Sequence, residues 1–172
     1  MGNASAGGLS LLPGYGALLG RLLFVVIFLG AAYSQVTGFA GTKGYMAAVM
    51  TGLPDGVLSV LLAGAIAFMT AGGLGVLLGL QTRWSALLLA VFLVIVTPIF
   101  HAFWAAPPEQ AQMQLIEFQK NLAMLGGALL LLAFGPGPLS VDAWLQARRR
   151  ASAQTGGAHH EFQRAAVYQD EG

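Results

Sequence analysis

Few side chains in this sequence can do chemistry, and most of those that can lie between Thr97 and Asn121. The stretch holds His101, the only histidine outside the C-terminal tail, followed by Trp104, the Pro107-Pro108 turn, and the trio Glu117, Lys120 and Asn121. On a helix, Glu117, Lys120, Asn121, Met124 and Ala128 share one face, because residues three, four, seven and eleven apart stack above one another. Two readings of that face stay open. One is an ion pair near the end of a helix that fixes its depth in a membrane. The other is a polar pocket opening at the membrane's outer face, with His101 and Trp104 as the opposite wall. A histidine exchanges protons near neutral pH, so a proton-coupled role is open to His101, as is a structural one. Phe100, Phe103, Trp104 and Phe118 add an aromatic cluster, which reads as an interfacial belt or as a stacking surface for a quinone or lipid head.

The same inventory excludes much. Without cysteine there is no disulfide, thiolate nucleophile, iron–sulfur ligation, covalent haem attachment or Cys-based zinc site. A bis-histidine haem needs two intramembrane histidines, and a ferritin-like di-iron site needs Glu-x-x-His motifs; neither is present. His159-His160-Glu161 sits in a Gly- and Ala-flanked tail and reads as incidental rather than as a metal site. No nucleotide fingerprint or basic nucleic-acid patch occurs. The expectation is no metal and no resident cofactor, with quinone the one organic ligand the residues leave open.

What positions these residues follows from composition. Of 172 residues 56% are hydrophobic and 9% charged, with mean hydropathy +0.71, whereas a soluble domain carries roughly 25% charged residues. The expected class is an all-α integral membrane four-helix bundle with a short interfacial or re-entrant segment after the first helix. Residues 1–16, rich in Gly and Ser and broken by Pro13-Gly14, read as a flexible arm. They show neither the basic n-region of a signal peptide nor a myristoylation pattern, and Asn3-Ala4-Ser5 fits a glycosylation acceptor only on the unfavoured side of the membrane. The membrane domain covers 17–145 and a polar, disordered tail 146–172. Spans are expected at Leu18–Phe39, Val57–Leu80, Trp84–Trp104 and Leu115–Phe134, each near the ~20 residues that cross hydrocarbon. Arg21 lies in the first turn, where it can snorkel to the headgroups. Gly41–Gly56 is too broken to span, and Asp55 is placed to cap the next helix. Gly72, Gly73, Gly75, Gly79, Gly126 and Gly127 read as helix-packing positions; Gly75 and Gly79 form a small-xxx-small pair, read as packing within the chain, with a homodimer as the alternative. Pro98 should kink the third span, Gly135-Pro136-Gly137-Pro138 ends the fourth, and Leu139–Leu145 reads as a short amphipathic surface helix.

Four spans put both termini on one side. Arg21, Arg83, Arg148, Arg149, Arg150 and Arg164 fall with the termini, against Lys43 and Lys120 opposite, six against two. The positive-inside rule then places the termini in the cytoplasm.

The order of motifs resembles the DoxX family of small bacterial four-helix membrane proteins. The resemblance rests on Gly20-Arg21-Leu22 with Phe28-Leu29, Lys43-Gly44-Tyr45 to Leu53-Pro54, Gly72-Gly73, and Gly79-Leu80-Gln81-Thr82-Arg83. It continues through Phe100-His101-Ala102-Phe103-Trp104, Glu117-Phe118-Gln119-Lys120-Asn121-Leu122, Gly126-Gly127 and Gly135-Pro136-Gly137-Pro138-Leu139-Ser140-Val141-Asp142. Where relatives often carry a glutamate about one turn before the Gly-Gly pair, Met69-Thr70 stand here. The resemblance implies a bacterial inner-membrane location and, since the family takes its name from a thiosulfate:quinone oxidoreductase subunit, a link to redox or stress assemblies. The leading expectation is a membrane subunit or scaffold of such an assembly, without catalytic activity of its own, whose partners are the bilayer and other membrane or redox subunits. The alternatives are a quinone-binding component using His101, Trp104, Glu117, Lys120 and Asn121, and a small-molecule transporter, disfavoured by the few intramembrane charges and the lack of an evident inverted repeat.

Overall fold

A computed structural model describes residues 4–153. The His159-His160-Glu161 run, Arg164, Asn3 and the tail from 154 onward lie outside the described residues. Among the described residues there is no strand. The helices are α1 (Ala4–Thr37), α2 (Phe39–Val49), α3 (Asp55–Leu78), α4 (Thr82–Phe100) and α5 (Pro108–Phe134), with a 3-10 turn at Phe103–Ala105 and a last helix, α6, over 141–153. Four segments are long and apolar enough to cross a membrane: Pro13–Thr37, Asp55–Leu78, Thr82–Ala105 and Pro108–Phe134. At 11 residues, α2 is only ~16 Å long and cannot cross.

Several boundaries differ from the sequence expectation for physical reasons. Helix α1 is already under way at Ala4 and runs through Pro13, so helix occupies most of the stretch read as an arm. Helix α5 starts at Pro108 rather than Leu115: proline suits the first helical turn, and Glu109-Gln110-Ala111-Gln112 are good helix formers despite their polarity. Pro98 lies inside α4, and the helix continues past it only to Phe100. Asp55 is not a cap. Pro54 holds the N-cap position without a side-chain bond, and the Asp55 carboxylate lies 2.8 Å from Lys43 Nζ, tying α2 to the start of α3.

The helices pack in the spatial order α1, α3, α4, α5, with α2 laid on α3. A core of Val25, Phe28 and Ala32 from α1, Met69 and Val76 from α3, and Ala86, Leu89 and Leu93 from α4 fills the centre. Glycine permits the closest approaches. A Cβ on Gly72 would sit 2.7 Å from Leu89 of α4, one on Gly73 would be 2.7 Å from Leu29 of α1, and one on Gly75 would collide with Ser85. Gly79 has a left-handed φ of 67° and lies against Arg21 and Ser140. The Gly75 and Gly79 faces are thus covered within the chain. Gly127 meets the Phe24 ring, whereas Gly126 faces open space, so close packing falls to one glycine of that pair.

At the end of the bundle where α5 stops and the 135–142 segment begins, a second departure appears. Arg21 does not snorkel. It is 1% exposed and donates to the carbonyl oxygens of Leu139 and Val76. The 135–142 segment folds back over it, and Asp142 accepts from the backbone N–H of Gln81 at 2.7 Å and of Thr82 at 2.9 Å, and from Thr82 Oγ1. A carboxylate thereby satisfies the first amides of α4 from 60 residues away.

Candidate functional site

Away from the termini, in the half of the bundle covered by α2, the helices enclose a cavity of about 330 Å³. Its apolar floor is Phe28, Met69, Phe92, Leu93 and Met124, and its roof is Thr42, Tyr45 and Met46 of α2 with Phe100. Its polar lining comprises Gln35 of α1, His101 at the end of α4, and Glu117, Lys120 and Asn121 of α5. The roof is held by Met46 packing on Leu58 and Leu62, and by the Tyr45 ring against Phe100 at 6.0 Å.

The α5 face delivers three groups with separate ties. Asn121 is buried and donates through Nδ2 to Thr97 Oγ1 at 3.1 Å, linking α5 to α4. Lys120 pairs with Glu117 one turn away, and both side chains remain partly exposed. His101 Nδ1 lies 2.9 Å from Gln114 Oε1. A carbonyl oxygen can only accept, so this contact suits a hydrogen on Nδ1. Gln35 Oε1 is buried without a hydrogen-bond partner, an arrangement that ordinarily costs ~1–3 kcal/mol.

Of the five residues expected to form a pocket, His101, Glu117, Lys120 and Asn121 come together on the cavity wall, and Trp104 does not. After His101 the chain tightens into the 3-10 turn, which swings Trp104 to the outside, 61% exposed. There it joins an edge-to-face cluster with Phe103 and Phe118, centroids 5.1 to 5.8 Å apart. Phe100, expected in the same cluster, turns inward to the cavity instead. Sequence reasoning passed over Gln35, Thr97 and Gln114. Gln35 was visible as a polar break in an apolar run, but the pairings of Thr97 and Gln114 span 24 and 13 residues and leave no local signal. Met69, at the position where an acid was expected of relatives, reaches the cavity floor and is buried. Glu117 is therefore the one carboxylate on the wall. No group of three or more metal-ligating side chains occurs among the described residues.

The cavity has a side on which helices do not close. Helices α1 and α5 meet at Phe24 and Gly127, and Gly137 beyond α5 touches Ala17. Toward α2 the cavity itself lies between them, lined by Ile27, Ala31 and Gln35 on one side and by Glu117, Lys120 and Met124 on the other. Ile27 and Lys120 are the exposed residues of those two walls, which puts the mouth between α1 and α5.

Comparison with known proteins agrees with this architecture. The DoxX family model matches residues 16–102. The chain is 36% identical to the inner membrane protein YqjF of Escherichia coli over 74% of its own length and 89% of that protein's, and 30% identical to the inner membrane protein YphA of E. coli over 73% and 86%. It is also similar to a Surfeit locus protein 4 homolog of Schizosaccharomyces pombe, 28% identical over 74% of this chain but only 37% of that protein. No solved structure is significantly similar. With four membrane-crossing helices and bacterial relatives named as inner membrane proteins, the chain belongs to the DoxX family as a multi-pass membrane protein.

Proposed function

We propose that the chain is the ligand-binding membrane subunit of a redox-linked assembly, and that its cavity takes the headgroup of a quinone-class molecule. The observation that supports this reading is the cavity's mixed lining: about 330 Å³, floored by aromatic and thioether side chains, with Gln35 on the α1 wall and His101, Glu117, Lys120 and Asn121 on the α4 and α5 walls. That volume is at the small end of the ~300–1,000 Å³ range of ligand pockets. It suits a substituted ring with the start of a tail, and the rest of a tail would leave through the mouth between α1 and α5. Phe28, Phe92 and Phe100 offer flat apolar walls. The Lys120 ammonium and the Gln35 amide offer partners for ring oxygens, and the unpaired Gln35 oxygen gains from any ligand that brings a hydroxyl. Termini in the cytoplasm, as the arginine distribution favours, would put this headgroup site in the outer leaflet half.

The test is extraction of the protein from its own membrane in mild detergent, with quinone measured in the purified sample. The expected outcome is bound quinone that falls at least tenfold in Lys120→Met and in His101→Ala, with thermal unfolding little changed. A stoichiometric partner protein without quinone would replace this reading by a scaffold. The absence of both would leave solute flux in proteoliposomes as the activity to measure.

A further inference from the structure

The terminal end of the bundle carries a second feature, independent of the cavity. Arg83, Arg148, Arg149 and Arg150 are all exposed there. Among the described residues the ion pairs are Lys43 with Asp55 and Lys120 with Glu117, so none of these four arginines has a carboxylate partner. The one acid close by in sequence, Asp142, is turned toward the α4 amides, which its carboxylate accepts from. That turn also fixes the start of α6, since Asp142 N–H donates back to Gly79 O at 2.8 Å. Helix α6 is therefore anchored to the α3–α4 turn just beyond the end of α5, where the fourth membrane-crossing segment stops. Its side chains divide accordingly. Val141, Trp144, Leu145 and Arg148 follow a three-to-four-residue spacing on one face, and the Arg148 guanidinium lies 4.2 Å from the centre of the Trp144 ring. Trp144 and Trp84 are both more than half exposed at this end, as interfacial tryptophans are.

An exposed tryptophan holding an arginine just beyond the fourth span, followed directly by two arginines with no carboxylate partner among the described residues, matches one surface well: the phosphates of lipid headgroups. We infer that α6 is a binding site for anionic phospholipid, with Trp144 and Leu145 dipped into the interface and Arg148, Arg149 and Arg150 on the phosphates. Juxtamembrane arginines attract acidic lipid in this way, and the aromatic stack keeps Arg148 in place instead of leaving it to sweep through solvent.

Trp144 itself reports the site. In a W84F/W104F background it is the sole tryptophan, and the full chain can be reconstituted into phosphatidylcholine vesicles containing brominated phosphatidylglycerol or, at equal mole fraction, brominated phosphatidylcholine. The expected result is several-fold stronger quenching of Trp144 by the brominated phosphatidylglycerol, falling with added salt. The preference should vanish in R148Q/R149Q/R150Q and persist in R148K/R149K/R150K. Equal quenching by the two lipids, or a preference that survives the glutamine variant, overturns the site. Absence of quenching by either lipid does so too, because it would put the helix off the membrane and leave its arginines for a soluble acidic partner. Quinone content does not enter this readout, so its outcome is separable from that of the cavity.

Discussion

His101 and Arg21 are both held by side-chain contacts to other segments of the chain, and the contacts differ in kind. The Gln114 Oε1 contact at His101 Nδ1 favours a hydrogen on Nδ1. In Gln114→Leu that constraint disappears, and the expected outcome is a shift toward the Nε2–H form, the tautomer most free imidazoles prefer, read from the ring ¹⁵N shifts of labelled protein. An unchanged tautomer would mean that another group orients the ring. Arg21 is the opposite case, a charge fully withdrawn from water and bonded to carbonyls. Arg21→Met strands those carbonyls and removes the countercharge of Asp142, and should destabilise by about 3 kcal/mol. A thermal unfolding midpoint within a degree of the parent would refute the buried role. The two residues also differ in how well sequence exposes them. The face of Glu117, Lys120 and Asn121 is legible from helical spacing alone. Arg21 reads as a snorkelling residue because its partner Leu139 lies 118 positions away, and nothing local encodes that return.

At the scale of elements, hydropathy located all four spans, since burial in lipid demands a long apolar run wherever a helix crosses. It misplaced the start of α5, because the Gln-rich first turns are polar and look like loop on a hydropathy scale. A 27-residue helix is ~40 Å long, about 10 Å more than the hydrocarbon core. The other element lesson concerns joints. Asp142 acts as a remote cap for α4, so Asp142→Ala should cost about 2 kcal/mol and lower the unfolding midpoint by several degrees. It should also raise proteolytic cleavage between residues 135 and 153, as α6 comes loose. Glycine contacts give a paired prediction on α5: Gly127→Leu strikes Phe24 and should destabilise clearly, whereas Gly126→Leu points into open space and should be neutral or better, given glycine's poor helix propensity. Equal effects from the two would mean that α1 and α5 do not touch there.

For the whole molecule, the two ends are built differently. The terminal end is cross-tied by Arg21, Asp142, Gly79 and the 135–142 return. The α2 end is held by a short helix resting on Leu58 and Leu62 and by the exposed Lys43–Asp55 pair. Amide exchange should therefore be slower around residues 72–90 than in α2, by at least tenfold; uniform protection along the bundle would contradict this division. None of it is legible from spacing, since it depends on which chain segments return to which end. The gap between α1 and α5 has a kinetic consequence. A molecule reaching the cavity by that route searches in two dimensions within one leaflet, and never crosses bulk water. Its arrival should then scale with its mole fraction in the lipid and with membrane fluidity, slowing sharply when the bilayer gels, while stirring or dilution of the aqueous phase leaves it unchanged. Ile27→Trp, at the lip of the gap, should slow both arrival and departure alike and so leave the equilibrium occupancy nearly where it was.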